Sequence, residues 1–203
     1  MNDVDFVNLA LNNLGAEPIV ALEASDSAAA AIAIPIYQFT LEVLLSTHPW
    51  RFATSRVQLS RLVTTPADVR FRYEYALPVN TFRVVRTSTT NDDWMLYRDP
   101  VSGYRRLYSS SASVFADIVT LPDSSLFPPH FQNALVAALT ANLALPITRR
   151  AEVKQLMDAV AAAARGAAMT HDWNEQPWPT LDDGNAILDS RYGGVPGDTV
   201  EFE

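Results

Sequence analysis

The chain contains no cysteine. That removes disulfide frameworks, thiol nucleophiles and cysteine-bound zinc together. Lysine is nearly absent as well: Lys154 is the only one, so fourteen of the fifteen basic side chains are arginines. Glycine is scarce, seven in 203 residues, and none falls in a P-loop or G-x-G-x-x-G pattern, so no phosphate-cradling loop is legible. There is no G-x-S-x-G elbow to present a nucleophilic serine. No uninterrupted apolar run reaches the ~18 residues that read as a bilayer span; the stretch 28–36 is too short and Pro35 interrupts it. The first residues are acidic, unlike a signal or transit peptide.

What is present describes a chain that packs. Apolar residues make up 48% and charged residues 19%, with a mean hydropathy of +0.01. That is the composition of a globular protein able to bury a core. The net charge of −8 is unevenly placed: residues 1–50 hold six acids and no base, 51–106 ten arginines and five acids, and 107–203 twelve acids and five bases. Arginine presents a rigid fork of donors suited to carboxylates and phosphates. Such a basic middle can meet the acidic ends of neighbouring copies, or be an ordinary solvated surface. The overall acidity argues against a general nucleic-acid binder.

Apolar periodicity divides the chain. Val4, Val7, Leu11 and Leu14 define a first helix that Gly15 stops. A second starts at a cap on Ser25 or Asp26 and runs to Thr47, with Ile32, Ile36, Phe39 and Val43 as its stripe and Pro35 as a kink. His48-Pro49 ends it. From Arg51 the period becomes two. Val57 and Leu59, Tyr73 and Tyr75, Phe82 to Arg86, Trp94 to Tyr97, Tyr104 to Tyr108 and Val114 to Leu121 read as short strands. The helical period returns at Pro128-Pro129 and ends at Pro146. Thr148 caps a fourth helix carrying Val153, Leu156, Met157, Val160, Ala164 and Ala167. Arg149 and Arg150 fall in its first turn, opposed to the helix dipole, which suggests an outside partner. From His171 the periodicity dissolves into an acidic segment that keeps Trp173, Trp178 and Tyr192 and one base, Arg191.

These readings give an α+β fold. A single domain, 1–171, has a four-helix body drawn from 1–50 and 128–170 with a small antiparallel β-sheet inserted at about 53–122. Residues 172–203 form an extended C-terminal arm.

No constellation carries chemistry. His48, His130 and His171 have no metal-ligand spacing and read as capping or surface histidines. Asp182, Asp183 and Asp189 lack the spacing of a calcium loop. The Tyr/Arg alternation in 70–86 reads as a sheet with aromatics inward and arginines outward rather than a base-stacking platform. No catalytic, cofactor-binding or metal-binding residue is assigned, and the chain is read as no enzyme.

Three stretches, in order, resemble a phage family. ALNNLGAEPIVALEASDSAAAAIAIPIYQFTLEVLLSTHPWRFA (10–53) is similar to the opening of tail tubular protein A and related head-to-tail adaptors: a short helix, L-G-x-x-P-I, and a long helix closing on H-P-W-x-F-A. FRYEYALPVNTFRVVRT (71–87) resembles that family's Y-x-Y-x-L-P segment. VFADIVTLPDSSLFPPHFQNALVAALTANLALPITRRAEVKQLM (114–157) resembles its strand, P-x-x-F entry and alanine-rich helix pair. Residues 88–112 and the arm match none of the pattern.

The resemblance implies a structural virion protein, made in the bacterial host cytoplasm. It implies a homo-oligomeric ring, expected as a dodecamer, that binds the portal protein above and a tail, nozzle or stopper protein below. Double-stranded phage DNA passes through without specific binding; no cofactor and no membrane are involved. Interface candidates are Trp173, Trp178, Tyr192 and Arg191 on the arm, Arg149 and Arg150 before the fourth helix, and Arg98, Arg105 and Arg106 on a hairpin. The alternatives are a tail-completion or stopper protein deeper in the connector and, from other classes, an unrecognised hydrolase or a nucleic-acid-binding regulator.

Overall fold

The structure, a computed structural model, describes residues 1–23, 27–64, 66–89, 93–100 and 102–175. Four helices and seven strands follow in the expected order. Helix α1, Asp3–Asn13, opens on a reciprocal cap: Asn2 accepts from the Asp5 N–H and Asp5 accepts from the Asn2 N–H. Gly15 then turns the chain at φ +70°, a conformation that costs glycine little. Helix α2, Ala28–Thr47, is capped by Ser27; the expected caps Ser25 and Asp26 lie outside the described residues. Pro35 sits within α2, and His48 in extended conformation ends it.

The face of α2 that turns inward is not the expected one. Ala30, Ala33, Tyr37, Thr40, Leu41, Leu44 and Leu45 are buried, whereas Ile32, Phe39 and Val43 face solvent and Ile36 is half-buried. The helix is apolar on almost every side, so its own periodicity cannot choose a face; packing does. The small Ala30, Ala33 and Thr40 permit close approach to the rest of the body, and Asn142 donates to the Thr40 hydroxyl at 2.8 Å.

Helix α3, Pro129–Thr148, is the hub against which α1, α2 and α4 all pack. It continues through Pro146 rather than ending there, and stops when Arg149 adopts the left-handed conformation (φ 57°). Helix α4, Ala151–Asn174, returns antiparallel along α3. The Thr148 hydroxyl donates back to Ala144 and accepts from the Arg150 N–H, so it braces the turn rather than forming the N-cap, which is Arg150. The helix also extends three residues into the expected arm, because Asp172 is buried and bonded to the end of α2.

The core of the helical unit centres on Trp50. Its indole is fully buried, donates to the Leu44 carbonyl at 2.7 Å, and meets Phe131 edge-on with ring centres 5.0 Å apart. Phe6, Leu11, Leu135, Leu139 and Leu143 complete this core.

The insertion forms two small sheets rather than one, with every pairing antiparallel. Strands β1 (Thr54–Gln58), β4 (Thr81–Thr87) and β7 (Phe115–Thr120) pair in the order β1-β7-β4. Strands β2 (Ser60–Arg61), β3 (Tyr73–Ala76), β5 (Trp94–Arg98) and β6 (Arg105–Ser109) pair in the order β2-β3-β6-β5. A second core lies between the sheets: Leu59, Tyr75, Val84, Leu107, Val114, Ala116 and Ile118. Strand β7 is buried on both faces; Ile118 joins this core and Val119 the helical one.

Helices α2 and α3 are each 20 residues long, with mean hydropathies of 1.7 and 1.2, sufficient by length and composition to cross a membrane. The count of uninterrupted apolar residues missed this because Ser, Thr, Gln and Asn are interspersed. In the fold, α3 spends that apolarity at the centre of the helical core.

Candidate interaction surfaces

Helices α2 and α4 flank α3 and point the same way, so a groove of about 300 Å³ opens between them. Phe39 and Val43 form one wall, Ala161, Ala162 and Arg165 the other, and Ala138 and Ala141 of α3 the floor. Phe39 is 65% exposed, unusual for a residue of that size and apolarity. The outer side of α4 is also bare, with Leu156 61% exposed and Val160 beside it. The six positions expected to form the buried face of this helix therefore separate: Val153, Met157 and Ala164 are partly buried, and Leu156, Val160 and Ala167 face solvent.

At the head of α4, Arg149 and Arg150 are exposed; Arg150 is its N-cap, at the positive end of the helix dipole, whereas Arg149 belongs to the end of α3. Arg149 is the C-cap of α3, where the negative end of a helix favours a cation. The helix starts two residues later than a cap at Thr148 would place it, so of the two arginines only Arg150 stands at its positive end.

At the other end of α4 the chain is clasped. Asp172 is 2% exposed; its Oδ2 lies 2.8 Å from His48 Nε2, and its Oδ1 accepts from the Arg51 N–H at 3.0 Å. The Arg51 guanidinium in turn donates to the Glu175 carbonyl at 3.3 Å. All three histidines gather here although they are far apart in sequence. The His48 ring stands edge-on to Trp50 at 4.8 Å, and His130 stacks between Trp50 at 6.4 Å and His171 at 6.0 Å. Spacing along the chain could not show this, since the residues come from the ends of three helices. The proline beside His48 and the two before His130 were the available signals of helix-end histidines. Among the described residues, no group of three or more His, Asp or Glu is arranged to hold a metal ion.

Trp173 stands on the last turn of α4, 64% exposed. Trp178, Arg191 and Tyr192 lie outside the described residues, as do Asp182, Asp183 and Asp189.

The three arginines of the expected hairpin sit on β5 and β6, with Arg98 and Arg105 cross-strand neighbours. Both are exposed and rest on backbone: Arg98 on the Gly103 carbonyl, Arg105 on those of Thr81 and Phe82. Arg106 points the other way, to the outer side of the four-stranded sheet, and is mostly buried. Its guanidinium lies 3.7 Å from Glu74 and 3.6 Å from Asp99. Glu74, also buried, accepts from the Thr64 hydroxyl at 2.7 Å. The alternation in 70–86 thus places Tyr75 inward and Arg70, Arg72, Arg83 and Arg86 outward as expected, and in addition buries the Glu74 carboxylate on the outer face of its sheet. Beside it Tyr97 stacks on Tyr108 at 4.6 Å. Hydrogen bonding to Tyr108 pushes the Tyr97 hydroxyl up to about 12, with burial adding to the shift.

Comparison with protein-family models and with curated proteins finds no match for this chain.

Proposed function

We propose that this chain is a structural protein of a tailed-bacteriophage virion, a head-to-tail adaptor. Copies form a ring below the portal, join it to the tail, and continue the channel through which DNA passes. The observation that carries this reading is where the family-like stretches meet. Trp50, from the H-P-W segment, packs on Phe131, from the P-x-x-F entry, at the centre of the helical core. The middle stretch supplies β3, which pairs with β6, and β4, which pairs with β7 and packs Phe82 and Val85 against that core. Stretches similar to one family in sequence order thus meet in the folded chain. The exposed apolar faces of α2 and α4 suit a protein that works assembled.

The test is mass, measured on the purified protein alone and after mixing with the portal ring encoded by the same genome. A discrete gain of many copies on the portal is the expected result. Folded protein that adds nothing to a competent portal overturns the reading. The role of the arm is tested by ending the chain after Glu175, because residues 172–174 belong to α4. The shortened protein is expected to keep its circular dichroism and to lose the gain on the portal.

A further inference from the structure

Two apolar faces of this chain look outward and differ in kind. That of α2 carries Ile32, Phe39 and Val43, and it borders the groove over α3. That of α4 carries Leu156 and Val160, followed at the same helical spacing by the exposed Ala163 and Ala167. At 3.6 residues per turn this second face lies about 100° round from the side of α4 that packs on α3, and away from the groove. One molecule therefore cannot use its own α4 face to fill its own groove. The first face is broad and aromatic; the second is narrow, two branched side chains above alanines.

Charge separates the two faces as well. Asp3, Asp5, Glu17, Glu23 and Glu42 lie on α1, α2 and the segment between them, with no base. Among the described residues none of these five carboxylates forms an ion pair, and neither do Arg149 and Arg150 at the head of α4. On α4 itself Glu152 is also unpaired, while Asp158 is held by Lys154. A foreign protein would cover one face and leave the other bare. Copies on either side cover both, and because the faces differ, the contact is head-to-tail and repeats from copy to copy.

We propose that the α2 face and groove of one copy receive the Leu156 and Val160 face of α4 from the next. Arg149 and Arg150 approach the carboxylates of the neighbour's α1 and α2. The contact rests on the adaptor reading only for its closure into a ring under the portal.

The absence of cysteine makes the test clean. Two full-length double variants are oxidised gently, with and without portal: Val43→Cys with Ala163→Cys, and Val43→Cys with Leu156→Cys for the opposite helix direction. At least one is expected to give a ladder of covalent dimers, trimers and larger species. Each single variant alone gives no ladder, and mixing two single variants stops at the dimer. Adding Phe39→Asp is expected to reduce the ladder at least tenfold with unchanged circular dichroism. No ladder from either double variant overturns the proposal, as does an equal ladder from a control pair, Val69→Cys with Ala163→Cys. A ladder without mass gain on the portal supports the contact and overturns the adaptor; mass gain without a ladder does the reverse.

Discussion

The helical unit and the β unit treat their side chains in opposite ways. Among the described residues of the β unit, many of the charges are answered from within. Arg56 and Arg86 both reach Asp117, Arg70 pairs with Asp68, Arg106 lies between Glu74 and Asp99, and Arg61 sits over the Tyr73 ring. The arginine-rich middle that looked in sequence like a surface waiting for a partner is largely self-satisfied. In the helical unit the acids of α1 and α2 form no ion pair among the described residues, and large apolar side chains stand in solvent. Association is thus better supported by the helices than by the basic segment, because an unspent apolar face gains on burial while an exposed ion pair gains little.

The comparison can be broken most severely at Trp50. Trp50→Ala removes a fully buried indole with its hydrogen bond and ring contacts, and is expected to cost ~3–5 kcal/mol in urea unfolding. If the loss is instead below that of an ordinary surface change, the helical core does not centre there. Next is Asp172→Ala, which strands the Arg51 N–H and deprives His48 of its partner. The expected cost is ~1–3 kcal/mol, with faster amide exchange confined to the last turns of α4; exchange unchanged there would mean that α3 alone holds the helix.

The faces of α2 and α4 show how far the sequence could be read. The order of helices and strands and the α+β class followed from periodicity, alternation and Gly15, whereas the caps of α2 and α4 and the end of α3 fell one to three residues from where they were expected. What failed was the choice of face on α2, since Ile32, Ile36, Phe39 and Val43 form as regular a stripe as the residues actually buried. Only the partner helix decides between two equivalent stripes, and that information is tertiary. The same holds for the clasp, whose members come from positions 48, 51 and 172. The reach of α4 to Asn174 was hidden because one buried carboxylate, not an apolar period, holds its end.

A smaller effect sharpens the contrast from the β side. The Tyr97 hydroxyl is raised to about 12 in the fold, chiefly by Tyr108, from an unfolded value near 10. The folded state therefore holds its proton more tightly. That contribution is complete below about pH 10 and is lost as pH rises towards 12. Chemical denaturation across this window is expected to show a decline that Tyr97→Phe diminishes; an identical decline in the variant would assign it elsewhere. The smallest change expected is at Phe39. Because the ring is mostly solvated, Phe39→Asp is expected to alter monomer stability by no more than ~0.5 kcal/mol, measured by thermal melting. A large loss would show that the exposed face belongs to the core after all.

The clasp has a mechanical consequence. Helix α4 touches the body along α3 and is tied at its far end, through Asp172 and Glu175, to His48 and Arg51, where α2 passes into β1. Tension applied to the backbone beyond Glu175 would not peel α4 away turn by turn. It would be carried across those bonds to the junction of the two units and shared by α2 and the first sheet, so the end of α4 acts as an anchorage for load and not as a fraying edge.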